Sequence, residues 1–291
     1  MRTTLAAALW KNCQPNISLL FGDLPFARRA EAAARAGFRA VECWWPFSGA
    51  APADRDADTF VAAVRDAGVQ LRALNFFAGD MPAGERGILS DPRRRAEFDE
   101  AVAAAVEIGR SLNVRMFNAL YGNRTLDVSV ADQDAAAIDA LVHAAEQADT
   151  IGATVLVEPV SGVESYPIKL ADDALRVVTA VNSAARRGRA LMLADLYHLC
   201  VNGEDVVAAI TGMTQWIGHV QIADVPGRHE PGTGRAPLVA WIDFLAECGY
   251  TGAIGLEYIP SGDTVAGLQW LRDLNPGVGE ASPFRAAGAS R

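Results

Sequence analysis

Short apolar, β-branched runs alternate eight times along this chain with longer, Ala-rich stretches of helical period, and few folds accept that pattern. The runs are "NISLLF" (16–21), "RAVECW" (39–44), "VQLRALNF" (69–76), "VRMFNAL" (114–120), "TVLVEPV" (154–160), "ALMLADL" (190–196), "IGHVQIAD" (217–224) and "GAIGLEYI" (252–259). Strands followed each time by helix-length segments build parallel sheets, because parallel neighbours need a crossover that a helix supplies. Eight such units favour a closed α/β barrel, a single (β/α)8 TIM barrel, over an open doubly wound sheet. The open sheet usually carries a Gly-rich turn after its first strand. Here that place holds "FGDLPF", with one Gly.

Punctuation between the runs agrees. "FARRAEAAARAGF" and "WIDFLAECGY" each set a Gly just past a helix, where a left-handed residue ends it. "LSDPRRRAEFDEAVAAAVEIGRSLNV" opens with Asp91 as an N-cap and Pro92 at the first helical position. Residues 1–275 form the expected barrel. Residues 276–291, small, polar and rich in Gly and Pro, read as a mobile C-terminal tail.

At 291 residues, with 51% hydrophobic and 21% charged residues, the chain suits one large globular domain. A net charge of −9 disfavours a nucleic-acid partner, which needs a clustered positive field. Cys13, Cys43, Cys200 and Cys248 form no Cys-x-x-Cys pair, so they read as buried free thiols in a reducing cytoplasm. No run is long enough for a signal-peptide core or a membrane span. The expected location is cytoplasmic, and nothing marks a particular interface for a homo-oligomer.

The informative positions are the strand ends. From the second run onward the polar residues nearest the C-terminal end are Glu42, Asn75, Asn118, Glu158, Asp195, Gln221 and Glu257. In a barrel these ends converge on one mouth. Glu158, Asp195, Gln221 and Glu257 come from four consecutive strands and can meet there. Three gathered carboxylates repel unless a cation lies between them. An oxygen-only set of two Glu, one Asp and one Gln suits Mg²⁺ or Mn²⁺ better than zinc. The alternative is a structural network of carboxylates paired with Arg or backbone N–H groups.

His198, three residues past Asp195 in "ADLYHLC", and Arg228 in "PGRHEPG" lie at the same mouth and read as substrate contacts. Arg228 can meet an anionic group bidentately. His219 shares a strand face with Gln221 and reads as packed deeper in the barrel. "GDMPAGERGI", with Glu85 and Arg86, reads as a further functional loop or as a turn with a surface ion pair. The long loop after Gln221 is expected to position Arg228 and close over the cation.

These motifs, in this order, resemble the hydroxypyruvate isomerase family within the xylose isomerase-like barrels, over roughly residues 14 to 272. The resemblance is carried by "NISLLFGDLPFARRAEAAARAGFRAVE", "FFAGDMPAGERGI", "HVQIADVPGRHEPGTG" and "LEYIPSGDTVAGLQWL". It implies metal-ligand positions at Glu158, Asp195, Gln221 and Glu257, an acid-base pair at Glu158 and Glu257, and substrate contacts at His198, Arg228 and Glu164. Ser161, where the family often has Asn, and Ala194, where an aromatic or polar residue is common, depart from the pattern at the pocket wall.

The implied activity is interconversion of hydroxypyruvate and 2-hydroxy-3-oxopropanoate through an enediolate, with a related keto-acid such as 2-oxotetronate as the alternative substrate. Three rivals remain. A ketose 3-epimerase would use the same barrel, and a non-catalytic metabolite-binding barrel would have no use for two mouth glutamates. A multi-zinc nuclease needs a His-rich site, and this chain has four His in all.

Overall fold

Residues 4–274 are described in the computed structural model of this chain; the segment 276–291, expected to be a tail, lies outside them. The eight strands are β1 Cys13–Pro15, β2 Ala40–Cys43, β3 Gln70–Asn75, β4 Met116–Asn118, β5 Thr154–Val157, β6 Ala190–Asp195, β7 Ile217–Ile222 and β8 Ile254–Leu256. They form one sheet in the order β1-β8-β7-β6-β5-β4-β3-β2, parallel throughout. An isolated parallel bridge between Asn16 and Glu42, with Ile17 N donating to Glu42 O at 2.9 Å, brings the two ends of the sheet together. The eight-stranded barrel read from the sequence is the fold observed.

Seven strands fall inside their expected runs. The first does not: β1 is Cys13–Pro15, and "NISLLF" is a buried turn after it, with Leu19 N and Leu20 N both donating to Asn16 O. Ile17, Leu20 and Phe21 are apolar because they pack into the core from this turn. A continuous apolar run does not distinguish a strand from a buried loop.

The helices are α1 Thr4–Lys11, α2 Phe26–Arg35, α3 Asp54–Asp66, α4 Arg95–Leu112, α5 Val130–Asp149, α6 Ala171–Ala184, α7 Leu196–Val201, α8 Val206–Met213, α9 Leu238–Glu247, α10 Thr264–Gly267 and α11 Gln269–Leu274. Among the described residues no helix is long and apolar enough to cross a membrane. Asp91 accepts from Arg93 N at 3.0 Å and starts a single 3-10 turn, Pro92–Arg94, that feeds α4. Phe98, Ala101, Val102, Ala105, Gly109 and Leu112 give α4 one buried stripe. A Cβ on Gly109 would lie 2.6 Å from Phe117 Cζ, so glycine lets α4 approach β4 closely. Gly37 and Gly249 take φ of 92° and 91° past α2 and α9, as the sequence signals require. All four cysteines are free thiols; Cys13 and Cys43 are buried, but Cys200 and Cys248 are only half-buried, short of the burial expected.

Candidate metal centre and active site

Three of the strand ends selected from the sequence lie on neighbouring strands in fixed register: Asp195 pairs with Gln221, and Gln221 with Gly255, two residues before Glu257. Glu158, Asp195, Gln221 and Glu257 are all buried. Each is held by a different neighbour. Asn118 Nδ2 donates to Glu158 Oε2 at 2.6 Å, and Asn16 Nδ2 to Glu257 Oε2 at 2.8 Å. Asp195 Oδ1 caps α7, accepting from Tyr197 N at 2.8 Å and His198 N at 3.4 Å. Arg228 Nη2 bonds Glu257 Oε1 at 2.7 Å and lies 3.8 Å from Asp195 Oδ2.

Below this layer sits a second polar cluster at Glu42. Its carboxylate accepts from Gln14 Nε2 at 2.9 Å, His219 Nε2 at 2.6 Å and Gln221 Nε2 at 2.7 Å, and all four side chains are buried. Gln221 Nε2 also donates to Glu257 Oε2. Both of its carboxylate neighbours demand the amide nitrogen, which leaves Oε1 of Gln221 buried without a hydrogen bond. Asp195 Oδ2 is likewise buried and accepts none. Unsatisfied buried acceptors are costly. A carboxylate oxygen and an amide oxygen left open beside two further carboxylates are the donor chemistry of a hard divalent cation. The Glu158, Asp195 and His198 ligand atoms lie within 4.8 Å of one another, so this corner could hold a metal ion.

The geometry argues for a different part for His198. Its Nδ1 accepts from Ser161 N at 3.0 Å and lies 2.7 Å from Ser161 Oγ. A backbone N–H only donates, so the imidazole proton sits on Nε2, 3.9 Å from Glu158 Oε1 and 3.7 Å from Asp195 Oδ2. Burial lowers the His198 pKa to about 4, against the raising effect of Asp195, and keeps the ring neutral. A neutral ring presenting N–H to the mouth is a hydrogen-bond donor rather than a metal ligand.

Both mouth glutamates hold protons more tightly than free carboxyls do. Burial pushes Glu158 well up, and Glu257 and Asp195 add to it. Burial raises Glu257 to about 8 although Arg228 opposes the shift. In the absence of a cation the mouth therefore stores protons.

The loop after β7 is organised by Asp224. Its Oδ1 accepts from Val225 N at 2.8 Å and Ala236 N at 3.0 Å, and its Oδ2 from Gly232 N at 2.8 Å and Gly234 N at 2.9 Å. Four backbone donors on one carboxylate fold residues 224–236 into a rigid lobe. That lobe carries Arg228, itself at φ 57°, to Glu257. Ile259 N donates to Arg228 O at 2.7 Å and ties the lobe to the loop after β8. Glu164 lies exposed on the loop after β5 and makes none of the hydrogen bonds that join the cluster.

Sequence reasoning did not single out Asn16 or Trp44, whose Nε1 is 3.3 Å from Glu257 Oε1, because both follow the first two strands, where the strand boundary or the polar pattern misleads. Ser161 stood out only as a departure and proves to set the tautomer of His198. Glu42 was visible as a strand end, but its three donors come from β1 and β7 and are joined only when the ring closes.

Comparison with known proteins agrees with this geometry. The family described as xylose isomerase-like TIM barrel matches residues 30–274. A putative hydroxypyruvate isomerase of Streptomyces coelicolor is 48% identical over 261 residues, covering 88% of this chain and 94% of its own length. The hydroxypyruvate isomerase of Escherichia coli and the 2-oxo-tetronate isomerase of Cupriavidus necator are each 32% identical, covering 88% of this chain and 96% of theirs. Among solved structures, a family 2 AP endonuclease from Brucella melitensis superposes with a TM-score of 0.81 at 32% identity, covering 90% of this chain and 98% of that one. The chain belongs to the hydroxypyruvate isomerase family of the xylose isomerase-like TIM barrels, a family of isomerase enzymes.

Proposed function

We propose that the chain is a divalent-metal-dependent isomerase of a small 2-keto acid, interconverting hydroxypyruvate and 2-hydroxy-3-oxopropanoate. The observation that carries this reading is the pair of open buried oxygens, Asp195 Oδ2 and Gln221 Oε1, between Glu158 and Glu257. Glu158, Asp195, Gln221 and Glu257 would hold the cation, with Mg²⁺ or Mn²⁺ favoured by an all-oxygen set. When bound, such a cation supplies positive charge beside the substrate's carbonyl and hydroxyl oxygens and makes the adjacent C–H more acidic.

The chain's own residues then move the protons. One of Glu158 and Glu257 takes a proton from the hydroxymethyl carbon, and the electron pair delocalises to give an enediolate. The other glutamate delivers a proton to the neighbouring carbon, and the hydroxyl proton passes from one oxygen to the next, so that the product has the same composition as the substrate. Burial makes both glutamates more basic, which suits them to this exchange. His198 Nε2–H and Arg228 would meet substrate oxygens as negative charge builds on them. Glu164, exposed on its loop, gains no such support.

The Cupriavidus relative keeps 2-oxotetronate in view as the substrate. The reading is tested by stripping the protein with chelator and following hydroxypyruvate and 2-oxotetronate by NMR before and after adding Mg²⁺ or Mn²⁺. Isomerisation that appears only with the cation is expected. Failure of both acids with either ion would overturn it, and C3 epimerisation of a free ketose would replace it with the epimerase reading.

A further inference from the structure

The mouth already gathers Glu158, Asp195 and Glu257, so a substrate carboxylate entering it needs a cationic partner of its own. Arg228 Nη2 is committed to Glu257 and Asp195, which leaves its buried, unpartnered Nε for a single substrate oxygen but not the paired Nε and Nη2 edge that a carboxylate takes. Arg124 is spent on Asp134 at 2.6 Å, and Arg94 on Glu85 and Glu97. Arg29 donates to the carbonyls of Leu24, Ile17, Ser18 and Gly22.

Arg86, on the loop after β3, is different. It is half-buried and forms no ion pair with any described residue. Its Nη1 donates to Met81 O at 3.0 Å and Glu85 O at 2.7 Å, which fixes the guanidinium plane. Nε and Nη2, the edge whose two parallel N–H groups match a carboxylate, bond to no described residue. The loop beneath it is held firmly. Glu85 accepts from Asp80 N and Arg94 Nη1, both at 2.6 Å, and Gly87 pairs with Tyr121 so tightly that a Cβ there would lie 1.9 Å from Leu120 O. The same loop is tied to the mouth: Gly87 bridges Tyr121, and Tyr166 Oη accepts from Tyr121 N at 3.1 Å while donating to Glu158 O at 3.0 Å.

We propose that Arg86 is the specificity-determining residue of this site, its Nε and Nη2 edge taking the carboxylate of a 2-keto acid while the ketone and hydroxyl lie toward Glu158 and Glu257. This rests on the isomerase reading above. It explains how a barrel of this family selects an acid over an uncharged ketose, for which a held but unpaired guanidinium offers no such gain.

The test compares wild type with Arg86→Met and Arg86→Lys. In Arg86→Met the KM for hydroxypyruvate rises about 10- to 100-fold with kcat within a few-fold, and Lys recovers part of the loss. Calorimetric Mn²⁺ affinity stays at the wild-type value, which separates a lost substrate contact from a disturbed mouth. An unchanged KM, or a fall in kcat alone, overturns the proposal. Binding of D-glycerate to Mn²⁺-loaded protein decides the matter without turnover: weakening by the same factor in Arg86→Met supports it, whereas equal affinity, or no binding to wild type, overturns it. Wild type that binds glycerate through Arg86 yet isomerises no keto acid would sink the isomerase reading alone.

Discussion

Glu42 Oε1 accepts from Gln221 Nε2 at 2.7 Å and, together with Glu257 Oε2 on the same nitrogen, turns the Gln221 amide so that its oxygen is left open at the barrel mouth. Residues that orient a ligand in this way typically change metal affinity by about 10- to 100-fold when altered. Glu42→Gln, which can offer an N–H₂ to Gln221 and let the amide turn, is expected to weaken Mn²⁺ binding by about that factor in a calorimetric titration. Unchanged affinity would show that the amide needs no such anchor.

Room for this contact depends on Gly255. A Cβ there would lie 2.6 Å from Glu42 Oε1 and 2.7 Å from Gln221 Cγ. Gly255→Ala should destabilise the protein by about 1–3 kcal/mol through overpacking, read from urea unfolding, and should weaken Mn²⁺ binding as well.

The lobe that delivers Arg228 hangs on Asp224. Burial favours the neutral acid, but the N–H groups of Gly234, Ala236, Gly232 and Val225 outweigh it and hold the Asp224 carboxyl below its ordinary value. Its stabilisation is therefore present above the ordinary carboxylate pKa and is lost as pH falls through the lowered one. Asp224→Ala strands four backbone donors and should cost about 3 kcal/mol in urea unfolding at neutral pH. The difference between variant and wild type should shrink on acidification. A pH-independent difference would contradict the account.

The mouth glutamates titrate in the opposite sense. Between the ordinary Glu value of 4.5 and the raised value of about 8, ion-free folded protein keeps a proton on Glu257 that the unfolded chain has released. Stability from this source is full below 4.5 and is lost as pH rises toward 8. Metal-stripped protein should therefore melt at progressively lower temperature across that window. Mn²⁺, which needs the ionised carboxylates, should raise the melting temperature more at the upper end than at the lower. An equal shift at both ends would count against a carboxylate-bound ion.

Much of this was legible from the chain alone, for a physical reason. A carboxylate or amide side chain after an apolar strand is expensive unless it is used, so Glu158, Asp195, Gln221 and Glu257 stand out against "TVLV", "LMLA", "IGHV" and "IGL". The eightfold alternation then places those ends together. Local pattern failed where long-range closure decides. "NISLLF" looks like a strand because a buried turn needs the same apolar side chains, and Glu42 meets Gln14, His219 and Gln221 only across the closed ring. Arg228 was visible as a guanidinium over the mouth, yet nothing local indicated that Glu257 would already hold it.

The most direct test of the central claim is turnover by Glu257→Gln in deuterated buffer, with fold and Mn²⁺ content checked on the same sample. Two-glutamate proton transfer predicts a loss of about 10³-fold in kcat, within the range attributed to positioned acid-base groups, with deuterium entering the product in wild type. Wild-type turnover by the folded, metal-loaded variant would contradict it.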